Sequence, residues 1–180
     1  MIIALAGRRI DAADATAPRF PAENVELVRT ALRSAFERLR ASAVVSSAAC
    51  GADLIALTEA GRLGLRRRVV LPGPADRFRD TSVTDRGESW GPPYDAVVAD
   101  ATRRGDLVIA AQGVEGDAAY AATNHRILDD AIALGAERRE DVSAVLVWDG
   151  QSRGAGDLTE AFGSAARDRN LPVVEIRTLL

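Results

Sequence analysis

Residues 44–56 read VVSSAACGADLIA, and this stretch decides the predicted fold class. A short apolar run breaks into a loop of small residues, and a helix-compatible segment follows. Unpaired N–H groups and the positive end of the helix dipole favour an anion at a helix N-terminus, and small side chains let it approach the backbone. The stretch therefore predicts a strand, a phosphate-binding turn and a helix.

The same layout occurs again near the C-terminus, where residues 145–160 read VLVWDGQSRGAGDLTE. A further apolar run, residues 2–6, is followed by the loop Gly7-Arg8-Arg9. Loops at the carboxyl ends of parallel strands face one crevice in open α/β sheets. We therefore expect these three loops to line a common crevice.

Continuous apolar runs are typical of strands that are buried on both faces of a parallel sheet. The predicted strands are residues 2–6, 43–46, 68–72, 106–111, 144–148 and 172–176. Segments with apolar residues at three- and four-residue spacing separate them, which indicates amphipathic helices. The alternation predicts an α/β, three-layer Rossmann-like fold with a mainly parallel sheet. A length of 180 residues suits a single domain over residues 1–180.

Residues 73–93 have the least regular pattern, because they are rich in proline, glycine and charge. We interpret this segment as an insertion over the crevice. Its Arg77, Arg79 and Arg86 are either extra cations for an anionic ligand or solvated surface charges.

The segment after the fourth predicted strand is expected to start with a loop at residues 113–117. Thr123 or Asn124 is then expected to cap the following helix, because both side chains can accept a hydrogen bond from the first helical turn. Asn124 is equally compatible with a ligand contact.

The charge of the chain limits its partners. The formal net charge is -3, the pI is about 5.3, and every Lys/Arg position is Arg. A general nucleic-acid-binding surface needs a basic face, so nucleic acid is not an expected partner.

The single Cys50 cannot form an internal disulfide, which makes the cytoplasm the expected compartment. The first apolar run is too short to span a membrane, so we expect no membrane association.

Signals for a metal or a cofactor are missing from the sequence. One histidine, His125, and one cysteine give no zinc pattern, so we expect no metal. Gly7 is not followed by the other glycines of a dinucleotide-binding fingerprint, and the chain has no Walker A lysine. We therefore expect no cofactor of these types.

Residues 46–56 resemble the Ser-Gly-x-Ala-x-Gly-Ile-Asp-x-x-Ala motif of the DNA-processing DprA/Smf family. The matching residues are Ser46, Ala49, Gly51, Asp53 and Ala56. Ser47 and Ala52 depart from the motif.

The second stretch resembles the Pro-Gly-Gly-x-Gly-Thr-x-x-Glu motif of the "lonely guy" (LOG) cytokinin-activating phosphoribohydrolases at Gly154, Gly156 and Glu160. In these enzymes the glutamate works on the ribose, aided by an arginine in the preceding helix. If the chain is an enzyme, the resemblance implies Glu160 as the catalytic carboxylate and Arg126 as the loosest counterpart of the arginine. Both families belong to the SLOG superfamily, so the resemblance implies a SLOG-like or LOG-like fold and a homodimer.

A departure from the hydrolase motif decides where each part of a ligand is expected to bind. Asp157 stands where the hydrolases have threonine, and a carboxylate at a helix N-terminus competes with phosphate unless a cation such as Arg153 offsets it. We expect the second loop to hold ligand hydroxyls and the first loop to hold phosphate, with Arg8 or Arg9 reaching across. The expected ligand-binding residues are Gly7, Arg8, Arg9, Ser46, Ser47, Gly51, Asp53, Gly150, Arg153, Gly154, Gly156 and Asp157.

Several of these residues have a purely structural alternative. Glu160 is equally compatible with a first-turn helix carboxylate, and Asp53 with a residue that only caps and charges its helix. Cys50 is interpreted as a small packed residue, because no acid–base partner for a nucleophile is identifiable.

Three functions follow, from different classes. The resemblance to SLOG domains of bacterial defence and signalling systems implies a binding (sensor) domain for a nucleotide or nucleotide-derived small molecule. The alternative is a LOG-like nucleoside 5′-monophosphate phosphoribohydrolase. The third is DprA-like binding of single-stranded DNA, against which the acidic charge argues because it offers little phosphate neutralisation.

Overall fold

The computed structural model describes residues 1–110 and 116–179, and a parallel sheet forms its centre. The strands are β1 (Ile2–Gly7), β2 (Ala43–Ser46), β3 (Arg66–Leu71), β4 (Leu107–Ile109), β5 (Val142–Trp148) and β6 (Val173–Arg177). The helices are α1 (Val25–Arg38), α2 (Ala52–Arg62), α3 (Ala75–Ser82), α4 (Gly91–Arg104), α5 (Gly116–Arg138) and α6 (Leu158–Asp168). Short 3-10 turns are formed by Ala22–Asn24, Thr84–Arg86 and Glu88–Trp90.

The strand order is β4-β3-β2-β1-β5-β6, and all described pairs are parallel. The central strand β1 pairs on both sides, since Ile2 is opposite Ala43 of β2 and also opposite Val142 of β5. The chain moves outward from β1 to β4 and then returns to the other side of β1. This reversal opens a crevice between the loops that follow β1 and β5, where open α/β sheets bind ligands.

Alternate residues of each strand pack on opposite faces of the sheet. Ile3 and Leu5 of β1 contribute to a core covered by α1, α2, α3 and α4. Ile2 and Ala4 contribute to a second core, which is covered by α5 and α6. The sheet is therefore the middle of three layers, and the predicted three-layer, Rossmann-like α/β fold is confirmed.

The segment predicted as an irregular insertion is more helical than expected. It contains α3 and two 3-10 turns, and α4 begins inside it at Gly91. Pro92 and Pro93 occupy the first turn of α4, where a missing N–H has no cost and the fixed φ angle suits a helix. The prolines therefore start a helix in this segment instead of excluding one.

The predicted cap of α5 is wrong. Thr123 and Asn124 lie inside this helix, and the Thr123 hydroxyl donates to the Ala119 carbonyl one turn earlier at 2.8 Å. Within the predicted loop at residues 113–117, the last two residues belong to α5, and residues 113–115 lie outside the described residues. Residue 111, predicted as the end of the fourth strand, also lies outside them.

No helix within residues 1–110 and 116–179 combines the length and the hydropathy that a membrane-spanning helix requires.

Candidate functional site

A cavity of about 500 Å³ lies at the carboxyl ends of the central strands. All three predicted loops contribute to its lining, which includes Gly7, Arg8, Arg9, Ser47, Asp53 and Arg153. Side chains of α3 and α5, such as Phe78 and Tyr120, cover it from the sides. The expected convergence of the three loops in one crevice is therefore present.

The other predicted residues lie outside this cavity. Gly154, Gly156, Asp157 and Glu160 line a neighbouring, more open cavity of about 670 Å³. The Ser46 hydroxyl is buried and donates to the Leu5 carbonyl at 2.9 Å. A Cβ atom at Gly150 would collide with the Arg177 side chain, so this glycine packs against β6.

The Arg8 side chain is occupied by protein partners. Its Nε donates to Asp149 at 2.8 Å, and its Nη1 and Nη2 donate to the two carboxylate oxygens of Asp157 at 2.7 and 2.8 Å. Nη2 also donates to the Gln151 carbonyl at 2.7 Å, and Trp148 lies 5.7 Å from the guanidinium. Four of the five N–H groups of a guanidinium are thus used, so Arg8 holds two loops together and is not a free phosphate ligand.

The Asp157 carboxylate is also fully engaged. Besides Arg8, it accepts hydrogen bonds from the backbone N–H groups of Arg153, Thr159 and Glu160 at 2.8, 3.0 and 3.2 Å. Burial alone would raise the pKa of Asp157, but Arg8 and these backbone donors hold that pKa well below its usual range. Asp157 is therefore the N-cap of α6. Its carboxylate oxygens are occupied by protein donors, so they are not available to the ligand hydroxyls that the sequence placed there.

Gly51 is needed for packing between two loops. Its φ angle is +105°, and an added Cβ would lie 2.5 Å from the Ile10 nitrogen and 2.7 Å from the Arg8 carbonyl oxygen. The Ala52 N–H, at the start of α2, donates to the same Arg8 carbonyl at 3.0 Å. The space predicted for a phosphate at Gly51 is thus occupied by the backbone of the loop after β1.

Asp53 differs from the other carboxylates of the crevice. It is 93% buried, it lines the cavity, and its Oδ1 has no hydrogen-bond partner. Burial raises the pKa of Asp53 to about 7, against the opposing effects of the Gly7 and Ala49 N–H groups and of Arg9. Asp53 lies in the first turn of α2, which begins without a side-chain cap. Of the two predicted aspartates, Asp53 keeps an open acceptor, whereas Asp157 does not.

Arg9 lies beside Asp53 but pairs elsewhere. Its Nη2 donates to Asp85 and, at 3.5 Å, to the Cys50 sulfur, whereas its Nε is buried without a partner. Burial raises the pKa of the Cys50 thiol despite the neighbouring Arg9. Cys50 is fully buried, as expected for a packed residue.

Two arginines of the cavity are only loosely paired. Arg153 is 56% exposed, and its Nε lies 3.8 Å from Asp157. Arg86 lies 3.6 Å from Asp85. Of the arginines predicted in the segment before α4, Arg86 lines the cavity and Arg79 pairs with Asp95 at 2.8 Å.

The two residues expected to be catalytic in an enzyme are not brought together in a shared cavity. Glu160 accepts a hydrogen bond from the Ser152 hydroxyl in the open cavity. Arg126 donates to Asp130 at 2.7 Å and lines neither cavity. Asn124, by contrast, lines the crevice and donates to the Leu158 carbonyl at 2.8 Å.

Sequence reasoning missed several residues of the site. Arg19 lines the cavity and donates to Asp149 at 2.6 Å, so Asp149 is shared between Arg8 and Arg19. The position of Asp149 directly after a predicted strand was a usable signal. Tyr120 and Ser82 also line the cavity and share a 2.8 Å hydrogen bond, but no local motif marks either residue.

Within the described ranges, no group of His, Cys, Asp or Glu side chains is arranged to hold a metal ion.

Asp53 gives a first prediction, on stability. The pKa of Asp53 in the folded protein is raised from 3.8 to about 7, so between these pH values the folded protein binds more protons than the unfolded chain. Protonation of Asp53 therefore stabilises the fold fully below about pH 4, and this stabilisation is lost as the pH rises through 7. Replacing Asp53 by Asn should therefore become more favourable with pH. The free energy of unfolding of D53N relative to wild type should rise by about 4 kcal/mol between pH 4 and pH 8. Urea titrations at both pH values measure this difference, and a constant difference would contradict the assignment.

No protein-family model matches the chain, and no curated protein sequence is significantly similar to it. Among solved structures, the chain is similar to DNA processing protein A (DprA) from Streptococcus pneumoniae, with a TM-score of 0.42 and 13% sequence identity. The match covers 96% of this chain and 57% of that protein, so this chain spans a little over half of its length.

Proposed function

We propose that the chain is a SLOG-like binding domain for a phosphate-bearing nucleotide or nucleotide-derived small molecule, held in the 500 Å³ crevice cavity. One observation carries the proposal. The described lining includes five arginines against three aspartates, although the whole chain has a net charge of -3. Arg8, Arg9 and Arg19 are neutralised by Asp149, Asp157 and Asp85, so the loosely paired Arg153 and Arg86 are the cations that favour a small anionic ligand in this concave site.

Arg153 is the best-suited phosphate ligand. A guanidinium can bind phosphate through two parallel N–H donors, provided that other acceptors do not occupy it. Arg153 meets this condition because it is more than half exposed and its contact with Asp157 is 3.8 Å long. Arg86 is a second loosely held cation of the lining.

The cavity also offers a less polar side. Phe78 and Tyr120 lie on its wall, and small alanine residues of the loop after β1 continue it. Aromatic and apolar surface of this kind suits the flat face of a nucleobase. A cavity of about 500 Å³ lies within the usual size range of small-molecule sites, roughly 300–1,000 Å³.

Replacing Arg153 by Ala tests the proposal. Loss of one charge-assisted contact to phosphate should weaken binding of ribonucleoside 5′-monophosphates about 10- to 100-fold. Binding of the matching nucleosides, which lack phosphate, should change less than about threefold. Calorimetric titration measures both. Arg103→Ala is the matched control, because Arg103 is also exposed and lines neither cavity.

Two further results would support the other two functions instead. Release of free base from a nucleoside monophosphate, lost in Glu160→Gln, would identify a LOG-like phosphoribohydrolase instead. Geometry favours binding, since Glu160 faces the open cavity and Arg126 is paired with Asp130. Salt-sensitive binding of single-stranded oligonucleotides, with no binding of monophosphates, would favour the DprA-like function.

The homodimer and the cytoplasmic location remain predictions. Light scattering at working concentration tests the first, and a monomer would remove it.

A further inference from the structure

We infer that Asp53, with Arg9 beside it, binds a sugar hydroxyl of the ligand. The hydroxyl-bearing part of the ligand then lies against the start of α2, and the phosphate lies toward Arg153. This inference rests on the proposed function and adds the orientation and the sugar specificity of the ligand.

Two residues that line this cavity each carry a buried polar atom without a hydrogen-bond partner. Oδ1 of Asp53 is an unsatisfied acceptor, and Nε of Arg9 is an unsatisfied donor. The ion pair of Arg9 is formed with Asp85, so the two residues do not satisfy each other. Arg9 is nevertheless near enough to lower the pKa of Asp53.

A hydroxyl group fits this pair of residues. It has one proton to donate to the Asp53 carboxylate and lone pairs to accept the Arg9 N–H. Oδ1 has almost no exposed surface, so it reaches a ligand hydroxyl through a small rotation about the Cβ–Cγ bond, whose torsion has broad minima. The other oxygen is left to the N–H groups of Gly7 and Ala49.

Phosphate is disfavoured at the same position. The Asp53 carboxylate has no cation in direct contact among the described residues, so a second anion beside it would be repelled. The sequence favoured the reverse arrangement, with phosphate at this loop and hydroxyls at Asp157. In the structure, the oxygens of Asp157 already accept hydrogen bonds from the protein, whereas Oδ1 of Asp53 has no partner. We therefore place the sugar hydroxyl at Asp53 and the phosphate toward Arg153, the reverse of the orientation expected from the sequence.

The energetic consequence is selectivity for the hydroxyl. A site whose buried polar group is satisfied only by the ligand rejects an analogue that lacks the partner, because the group then stays unpaired. We expect a ribonucleotide to bind about 10- to 100-fold more tightly than its 2′,3′-dideoxy analogue.

The experiment compares the four ribonucleoside 5′-monophosphates with their 2′,3′-dideoxy counterparts by calorimetric titration at pH 8, above the raised pKa of Asp53, about 7. Wild-type protein should prefer the ribonucleotide at least tenfold for the base that binds best. Asp53→Ala should reduce this preference below about threefold, and Asp53→Asn should leave an intermediate value, because a neutral amide still accepts one hydrogen bond. Asp95→Asn makes the same charge change in an exposed residue paired with Arg79, outside both cavities, and should keep the full preference.

Failure of this inference differs from failure of the proposed function. If both kinds of monophosphate bind wild-type protein equally, the sugar contact is refuted and phosphate binding stands. If the preference persists in Asp53→Ala, Asp53 is not the hydroxyl ligand. If none of the nucleotides binds, the proposed function and this inference are both refuted. The wild-type comparison decides the first point even if a variant fails to fold.

Discussion

Replacing Arg8 by Met should destabilise the protein by about 3–5 kcal/mol, because it removes the cation from two buried carboxylates at once. The side chains of Asp149 and Asp157 are 3% and 0% exposed, and both are paired with Arg8. Asp149 keeps Arg19 as a partner, whereas Asp157 keeps only backbone donors and the distant Arg153. Chemical unfolding in urea at pH 7 measures the loss. In a domain of this size it corresponds to a fall in Tm of about 10 °C.

Arg153→Met is the matched control for Arg8→Met. It removes the same kind of side chain from the same carboxylate, but Arg153 is exposed and 3.8 Å away, so the expected loss is below about 1 kcal/mol. Equal losses in the two variants would refute the view that Arg8 is the structural partner of Asp157. Because Arg8 holds the loops after β1 and β5 together, ligand binding in Arg8→Met reports on the shape of the cavity and not on a direct contact.

Replacing Gly51 by Ala should also destabilise the protein by about 3–5 kcal/mol. A residue with a side chain is strained at a φ angle of +105°, and its Cβ would meet the backbone of Ile10 at 2.5 Å and of Arg8 at 2.7 Å. Backbone atoms cannot turn aside as a flexible side chain can, so the loop after β1 has to move. Thermal and urea unfolding of the variant without any ligand measure the effect.

Gly64→Ala measures the cost of a left-handed φ angle without a collision, and it is a lower limit for the conformational cost at Gly51, whose ψ angle of -134° with φ +105° is a conformation that strongly favours glycine. Gly64 has a φ angle of +72°, but nothing lies within 4 Å of an added Cβ, so the variant has the conformational cost without the collision. We expect a loss of about 1–2 kcal/mol there. If Gly51→Ala costs no more than Gly64→Ala, the close approach of the two loops is absent from the protein in solution.

The fold was largely predictable because its signals are local. Ala43, Val44 and Val45 form an apolar run between Ser42 and Ser46, and β2 has the predicted bounds Ala43–Ser46. The start of β3 was missed because Arg66 and Arg67 resemble surface charge. These arginines can lie in the strand because Asp106 pairs with Arg66 and Asp100 pairs with Arg67. The local sequence pattern does not reveal these pairs, since each joins residues more than 30 positions apart.

The site was predictable only to the level of its loops. Topology brings the ends of β1, β2 and β5 together, so the crevice follows from the order of the elements. Which carboxylate stays free depends on contacts between residues distant in sequence. Arg8 and Asp157 are 149 positions apart, and their pairing is what turns Asp157 into a helix cap and leaves Asp53 as the open acceptor.

The central position of β1 has a consequence for biosynthesis. Its residue Ile2 pairs with Val142, so β1 has one neighbour that is synthesised about 140 residues after it. At roughly 5–20 residues per second, the nascent chain carries an exposed β1 edge for about 10–30 s. Unpaired strand edges invite association with other chains, and pairings between distant residues form slowly. We therefore expect the yield in the cell to depend on chaperone protection and on the rate of translation during this interval, in addition to the stability of the finished fold.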